Sequence, residues 1–510
     1  MRTIITTFLV FVAAALSAGP ASGGAPVREI TVRECVEAAL RNNVDIAVSR
    51  GEKAIGELGV PIEEAAFLPK LTAELSVSRN LIASSSAITG TLAVSQDLYN
   101  ANAGVSTLLR TGTMLSLSFQ NQRQDTDSFI AIRSPEYTTN LSLTAQQPLL
   151  KNRGRRATEA PLLIARAGAA EKTETWKAKV MDIVAAARVA FFGLDASGRE
   201  VEVRRSAVAL AERLLEQINA RIDAGAAAPM DRLPAEAAAA ARKEELLRAE
   251  AAAQSAQDDL KRILGTRADS DWEALLVAVP VEGDVSPPGA DETFAEALRR
   301  RPEVLAQTAR RTQADLQEVV ARSRALPSLD LSLTGGLSGL AGTPKSSPFL
   351  PPGATVGFEG SYPDSLREMV SGRYYNWFVG VKTEVPWRLE REKAEWARAR
   401  TNVDIQRLTA DGLATLVRTE VHKGRRDVDS ALARIDAAGI SVAAAKKKLE
   451  AEENKLSVGR STIPQVLQFQ QDLAEALLSE VRARADARAA QTRLWRAVGS
   501  ILDKEGIVVR

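Results

Sequence analysis

The sequence predicts an internally duplicated α+β membrane protein, in which long coiled-coil helices build a helical barrel capped by strands of a transmembrane β-barrel. Three observations carry this. One export segment is followed by no other run apolar enough to span a membrane. Two halves of the chain repeat each other in order, and each half holds an apolar heptad stripe kept over about six heptads.

The chain starts with Met1-Arg2-Thr3, an apolar run from Ile4 to Leu16, and then the small residues Ser17, Ala18, Gly19, Ala21, Ser22 and Gly23. A charge, a short apolar run and small residues in that order form a secretory signal, assigned to residues 1–25 and cleaved between about Ala18 and Ala25. The cleavage region holds no cysteine, which disfavours a lipid anchor. Nothing further along approaches the roughly 18 apolar residues of a spanning helix, so entry into a membrane requires a β-barrel.

Among the 510 residues, Lys plus Arg number 66 and Asp plus Glu 64, leaving no global field to draw in a nucleic acid. A single cysteine, Cys35, and a single histidine, His422, supply neither a disulfide framework, nor a zinc site, nor a His-centred triad. No catalytic residue, cofactor or metal is expected, and a periplasmic hydrolase lacks its constellation.

Aligning the chain with itself pairs Leu40 with Leu298 and Leu68 with Leu326, both 258 positions apart. Ala224-Gly225 pairs with Val458-Gly459, and Arg262-Ile263-Leu264-Gly265 with Arg496-Ala497-Val498-Gly499, all 234 apart. The repeats therefore cover 31–265 and 293–499, with a Pro/Gly-bearing linker at 266–292 and a tail at 500–510.

Each repeat opens with a helical stretch, Cys35 to Ala66 or Thr293 to Ala325, that ends at Leu-Pro because the residue before proline is pushed toward extended geometry. Strict alternation follows: Leu71, Ala73, Leu75 and Val77 in the first, Leu329, Leu331 and Leu333 in the second. Period two with one apolar face is a strand. A second alternating run, Leu141 to Gln146, closes at Pro148, and its counterpart, Trp377 to Val385, closes at Pro386. The run Met114 to Gln120 also alternates and fits either the barrel or its outer loop, and strands within 80–112 stay open.

Long helices come next, Ala157 to Asp223 and Leu389 to Ser457. Val180, Ala187, Leu194, Val201, Val208, Leu215 and Ile222 recur every seventh residue in one, and Ala414, Val421, Val428, Ile435, Val442, Leu449 and Leu456 in the other. Turns at Gly225–Pro229 and Gly459–Pro464 lead into shorter helices, Met230 to Leu264 and Gln465 to Val498. A long helix of about 68 residues spans about 100 Å. Rods of that length with alanine-rich faces have no compact core and gain stability by closing laterally with further copies, their strands forming a barrel without edges.

These features resemble the TolC-like outer-membrane efflux protein family. The carriers are T-x-x-E-x-V-x-x-A-L-x-x-N from Thr31 to Asn43, the pairs Leu68-Pro69 and Leu326-Pro327, and Gln147-Pro148-Leu149-Leu150. To these add the turns Ile222–Gly225 and Leu456–Gly459 and the ending Arg493–Gly499. The resemblance implies a homotrimer sharing one outer-membrane barrel, set among outer-membrane lipids and continued by a helical barrel through the periplasm. It further implies an outer-membrane channel subunit of a tripartite efflux pump or type I secretion system, working with a periplasmic membrane-fusion adaptor and an inner-membrane transporter of RND, ABC or MFS type. The alternative is the periplasmic coiled-coil adaptor itself, which should carry its strands in compact globular domains.

The resemblance also implies adaptor docking at the turns Ala224-Gly225-Ala226 and Val458-Gly459-Arg460-Ser461, where glycine permits a left-handed turn and a close neighbour. It implies a gate at the same end. The commonly acidic D-V-L-D reads Gln465-Val466-Leu467-Gln468 here, so only Asp231 keeps an acid, and weak block by divalent cations is expected. Cys35 is expected to fill a small apolar position, His422 and Lys446-Lys447-Lys448 to be solvated, and Lys151–Arg156 to sit at a strand-to-helix junction. Tyr374, Tyr375, Trp377 and Phe378 fit an aromatic girdle as well as ordinary barrel packing.

Overall fold

The computed structural model describes residues 27–508 except 84–92, 226–227, 282, 284, 290–291, 347–350, 352–355, 386–387 and 459. The signal segment, Ala226, Gly459 and Pro386 therefore lie outside the described residues. The chain divides into two units. One comprises Met1–Ala47, Lys179–Leu298 and Val417–Arg510, and the other Val48–Ala178 and Arg299–Leu416.

In chain order the elements are β1 (Val27–Ile30), α1 (Val32–Asn42), α2 (Val44–Glu64), β2 (Lys70–Ala83), β3 (Ala93–Leu108), β4 (Met114–Thr126), β5 (Arg133–Pro148), α3 (Arg155–Thr158), α4 (Ala160–Asp223) and α5 (Arg232–Leu264). They continue through α6 (Asp269–Glu273), β6 (Leu275–Ala278), α7 (Phe294–Arg300), α8 (Pro302–Arg324), β7 (Ser328–Pro344), α9 (Tyr362–Val370), β8 (Tyr375–Glu384), α10 (Glu390–Ser457), α11 (Ile463–Val498) and α12 (Ile501–Lys504).

The stretch Cys35 to Ala66, expected as one helix, is broken at Asn43, and its counterpart at Arg301, 258 positions on. Different chemistry makes the two breaks. Asn43 accepts the N–H groups of Asp45 and Ile46 on its side-chain oxygen while its amide donates to the Ile263 carbonyl at 2.8 Å. At Arg301 the following Pro302 drives the backbone extended, with ψ of 121°. The start of α1 is fixed by a reciprocal Thr31–Glu34 capping box.

In the first unit α10 buries Val417, Val421, Gly424, Val428, Ala431, Ala438, Ala445, Leu449 and Glu452, spaced by three, four or a full seven residues. That is the seam of a coiled coil, and nearly half of it is glycine or alanine, so neighbouring backbones come close. A Cβ on Gly424 would lie 3.2 Å from Leu494 Cδ1 on α11. Helices α5 and α11 both end on a left-handed glycine, Gly265 at φ +70° and Gly499 at φ +83°. Cys35, Ala39, Ala187, Phe191, Phe192, Leu260 and Leu264 form one apolar core with Leu276 of β6. Cys35 is fully buried, and burial pushes its thiol up to about 12. Within 266–292, β6 pairs in parallel with β1, and in the tail Ile501 and Leu502 of α12 are buried.

The second unit holds a six-stranded antiparallel meander in the order β2-β3-β4-β5-β7-β8. The run Met114 to Gln120 belongs to this sheet as part of β4, and β3 adds a strand inside 80–112. Paired residues share a face, and register rows such as Leu117–Leu143–Gly335–Trp377 and Phe119–Leu141–Leu337–Tyr375 run across four strands. This face is apolar and stands open: Leu71, Leu75 and Trp377 are 83%, 84% and 73% exposed. Among the described residues β2 and β8 each pair on one side only.

Candidate functional site

Three places carry the expected functional residues: the first helical turn, the second helical turn and the two faces of the sheet. In the first turn, Ala224 donates to the Ala220 carbonyl and Gly225 to Ile222 at 2.9 Å. Gly225 has φ +74°, and a Cβ there would meet nothing within 4 Å. Conformation alone requires glycine in the single chain; the expected close neighbour is not supplied by this chain's described residues. Asp231 accepts the Ala228 N–H at 3.1 Å, so its carboxylate braces the single 3-10 turn Pro229–Asp231 that leads into α5.

In the second turn Val458 is 69% exposed, and Arg460 donates its N–H to the Lys455 carbonyl at 2.8 Å. Ser461 Oγ donates to Glu452 Oε1 at 2.6 Å, and Lys455 Nζ lies 3.1 Å from Glu452 Oε2. The two turns come together over an apolar cluster of Leu214, Ile218, Ala235, Leu449 and Val466, with Ile222, Leu456 and Ile463 packed against it. A cavity of about 490 Å³ beside it is lined by Arg221, Asp231, Leu456, Ser461 and Pro464, among others. Gln465 and Gln468 are exposed, and Gln468 Nε2 donates to Asp472 Oδ1 at 2.8 Å. Asp472 thus places beside Gln468 a carboxylate that lies outside the four-residue motif, though its i,i+4 spacing from Gln468 is legible in the sequence.

The Ser461 hydroxyl, followed by Lys455, holds the Glu452 carboxyl below its ordinary value of 4.5. A depressed carboxyl stabilises the fold above its ordinary value, and that contribution is lost as the pH falls through the lowered one. Amide-exchange protection of Arg460–Ile463 is therefore expected to be constant above 4.5 and to fall below it, and Glu452→Gln should flatten that profile.

The sheet has two chemically opposite faces. Opposite the apolar one, Gln122 donates to Asn100 at 3.2 Å and Asn100 to Ser76 at 3.1 Å, a row across three strands. Ser118 and Ser142 are 2.7 Å apart, and Thr144 and Thr334 3.1 Å. A hydroxyl- and amide-lined face of this kind suits water, and the leucine-lined face suits hydrocarbon. Of the four clustered aromatics, Tyr375 and Trp377 fall on the apolar face, Phe378 on the polar one, and Tyr374 precedes β8. His422 and Lys446–Lys448 are exposed, and the run Lys151–Arg156 leads from the end of β5 into the first residues of α3. Among the described residues no helix is long and apolar enough to cross a membrane.

The family model described as outer membrane efflux protein matches residues 112–266 and 294–500. A comparison with curated proteins gives no significant match. Among solved structures, the fold is similar to the outer-membrane channel OprN, at 17% identity and a TM-score of 0.66 over 92% of this chain and 90% of that one. The outer-membrane channel CmeC of Campylobacter jejuni gives 16% and 0.64, covering 92% and 86%. The open-state channel MtrE of Neisseria gonorrhoeae gives 17% and 0.61, covering 92% and 89%.

Proposed function

Because the chain belongs to the outer membrane efflux protein family, we propose that three copies of this outer-membrane channel subunit close into one passive duct, joining β2 of one copy to β8 of the next. The observation that supports closure is the sheet itself, polar on one face, apolar and open on the other, with both edge strands unpaired among the described residues. Hydrocarbon leaves no partner for a free strand edge, so the sheet becomes stable there only when closed. Antiparallel joining follows from the order, since β2 and β8 run in opposite directions. A tripartite efflux pump or type I secretion system is the setting, with a membrane-fusion adaptor and an inner-membrane transporter supplying energy. The adaptor reading is less supported, because the six long strands β2, β3, β4, β5, β7 and β8 make one two-faced sheet and not compact globular domains.

Planar-bilayer recording tests the duct: purified protein should give discrete conductance steps without nucleotide, and featureless leakage or none would count against it. Cations added from the periplasmic side are expected to block weakly. Gln465 and Gln468 offer a ring of neutral amides, and Asp231 is already engaged in its own turn. Strong block that survives Asp231→Ala would move the constriction elsewhere, with Asp472→Ala the next variant.

Docking of the adaptor is assigned to Ala224, Gly225 and Ala226 and to Val458, Gly459, Arg460 and Ser461. Gly225→Trp should abolish export while leaving the assembled channel intact, because the site has room within the chain but projects bulk where a partner would press. Unchanged export by this variant removes the first turn from the docking surface.

A further inference from the structure

The short helix α9 lies against the apolar face of the sheet and not against the polar one. Its seat is the register row Asn121–Thr139–Gly339. Ser365 Oγ is 2.9 Å from Thr139 Oγ1, and Tyr362 donates its hydroxyl to Asn121 Oδ1 at 3.0 Å. Gly339 admits the helix, since any Cβ there would overlap the Ser365 carbonyl. Thr139 and Ser365 are fully buried by this contact.

That row has a defined height. Below it, toward the strand–helix junctions, the same face of β7 presents Leu329, Leu331, Leu333 and Leu337. This stretch is close to the roughly 9–11 residues that a tilted strand needs to cross hydrocarbon. At and above it the face turns polar and aromatic, with Asn121 and Arg123 on β4 and Thr139 and Tyr137 on β5. Of the chain's five tyrosines, Tyr99 and Tyr137 lie one row above, Tyr362 and Tyr374 lie in the segment carrying α9, and Tyr375 lies one row below, opposite Leu337. Tyrosine concentrates where one end of a ring is apolar and the other wet.

We propose that α9 lies in the membrane plane on the outside of the barrel, seated in the lipid headgroup zone at the end of the barrel remote from the helices, where it sets the depth of the barrel. The helix satisfies Asn121 and Thr139, which face outward at the border of hydrocarbon, and turns Val370, 74% exposed, and Arg367 away from the sheet. A second copy is the weaker occupant, because α9 covers β5 and β7 in the middle of the sheet and reaches β4 through Tyr362, whereas copies meet at β2 and β8. The proposal rests on the outer-membrane barrel reading.

Depth-resolved fluorescence quenching separates the two. Full-length protein carrying Cys35→Ala and a single bimane-labelled cysteine, Val370→Cys, Leu333→Cys or Gln122→Cys, is reconstituted in phosphatidylcholine vesicles. These contain lipid spin-labelled at the headgroup or deep in the acyl chain, and iodide serves as the aqueous quencher. The Val370 site should be quenched at least about twofold more by the headgroup label than by the deep one, the Leu333 site in the reverse order, and the Gln122 site by iodide only. Quenching of the Val370 site by iodide alone, or mainly by the deep label, overturns the placement of α9. Loss of deep quenching at Leu333 overturns the barrel reading instead.

Discussion

Gly265→Val is expected to cost about 3 kcal/mol or more. Two causes act together. A side chain at φ +70° pays about 1–2 kcal/mol for the left-handed conformation. The added Cβ would also overlap the Asn42 carbonyl and lie 3.0 Å from Asn43 N. Asn43 cannot yield freely, since its amide holds the Ile263 carbonyl and its oxygen starts α2. Gly225→Ala is the control, with φ +74° but open space, and should cost about 1 kcal/mol. The measurement is the temperature at which helical circular dichroism is lost in detergent. Equal shifts for the two variants would mean that the Asn42 approach contributes nothing.

Arg188→Ala is the second large effect, expected at about 3–5 kcal/mol. Arg188 is buried on α4, donates to Thr492 Oγ1 at 3.3 Å and pairs with Glu505 beyond α12. Its guanidinium lies 5.0 Å from the Trp495 ring and 5.5 Å from that of Phe192. Burial pulls its pKa down to about 10, so it stays charged at neutral pH. Truncation strands the Glu505 carboxylate in a poorly solvated place, and that cost exceeds the worth of the pair itself. Arg188→Ala with Glu505→Ala should therefore be less damaging than the sum of the single changes, by about 1 kcal/mol. Additive losses would show that packing on the rings, and not the ion pair, matters at Arg188.

Much of this fold can be read in the residues, for physical reasons that also explain what cannot. Val421, Val428 and Leu449 recur at the heptad period of a helix long enough to give many votes, so the sequence places the start of α10 within one residue of Glu390. Leu71, Leu75 and Leu329 alternate sharply against polar neighbours, which exposes β2 and β7. In contrast β3 runs Asn100-Ala101-Asn102-Ala103-Gly104, where small residues flatten the contrast between faces. α9 has nine residues, too few for periodicity to register. The pairing of β1 with β6 joins segments separated by the whole first repeat, and no local signal specifies such a contact. At the tip, Asp231 is legible as an acid but not as the partner of its own Ala228 N–H. Glu452 carries no signal of its own, because its role depends on Ser461 folding back onto α10.

The most direct test of the account is the mass and detergent dependence of the mature protein, measured by analytical ultracentrifugation. Closed sheets with leucine-lined exteriors predict one species of three chains in detergent and precipitation once the detergent is removed. A soluble, monodisperse monomer without detergent would contradict the barrel, and with it the duct.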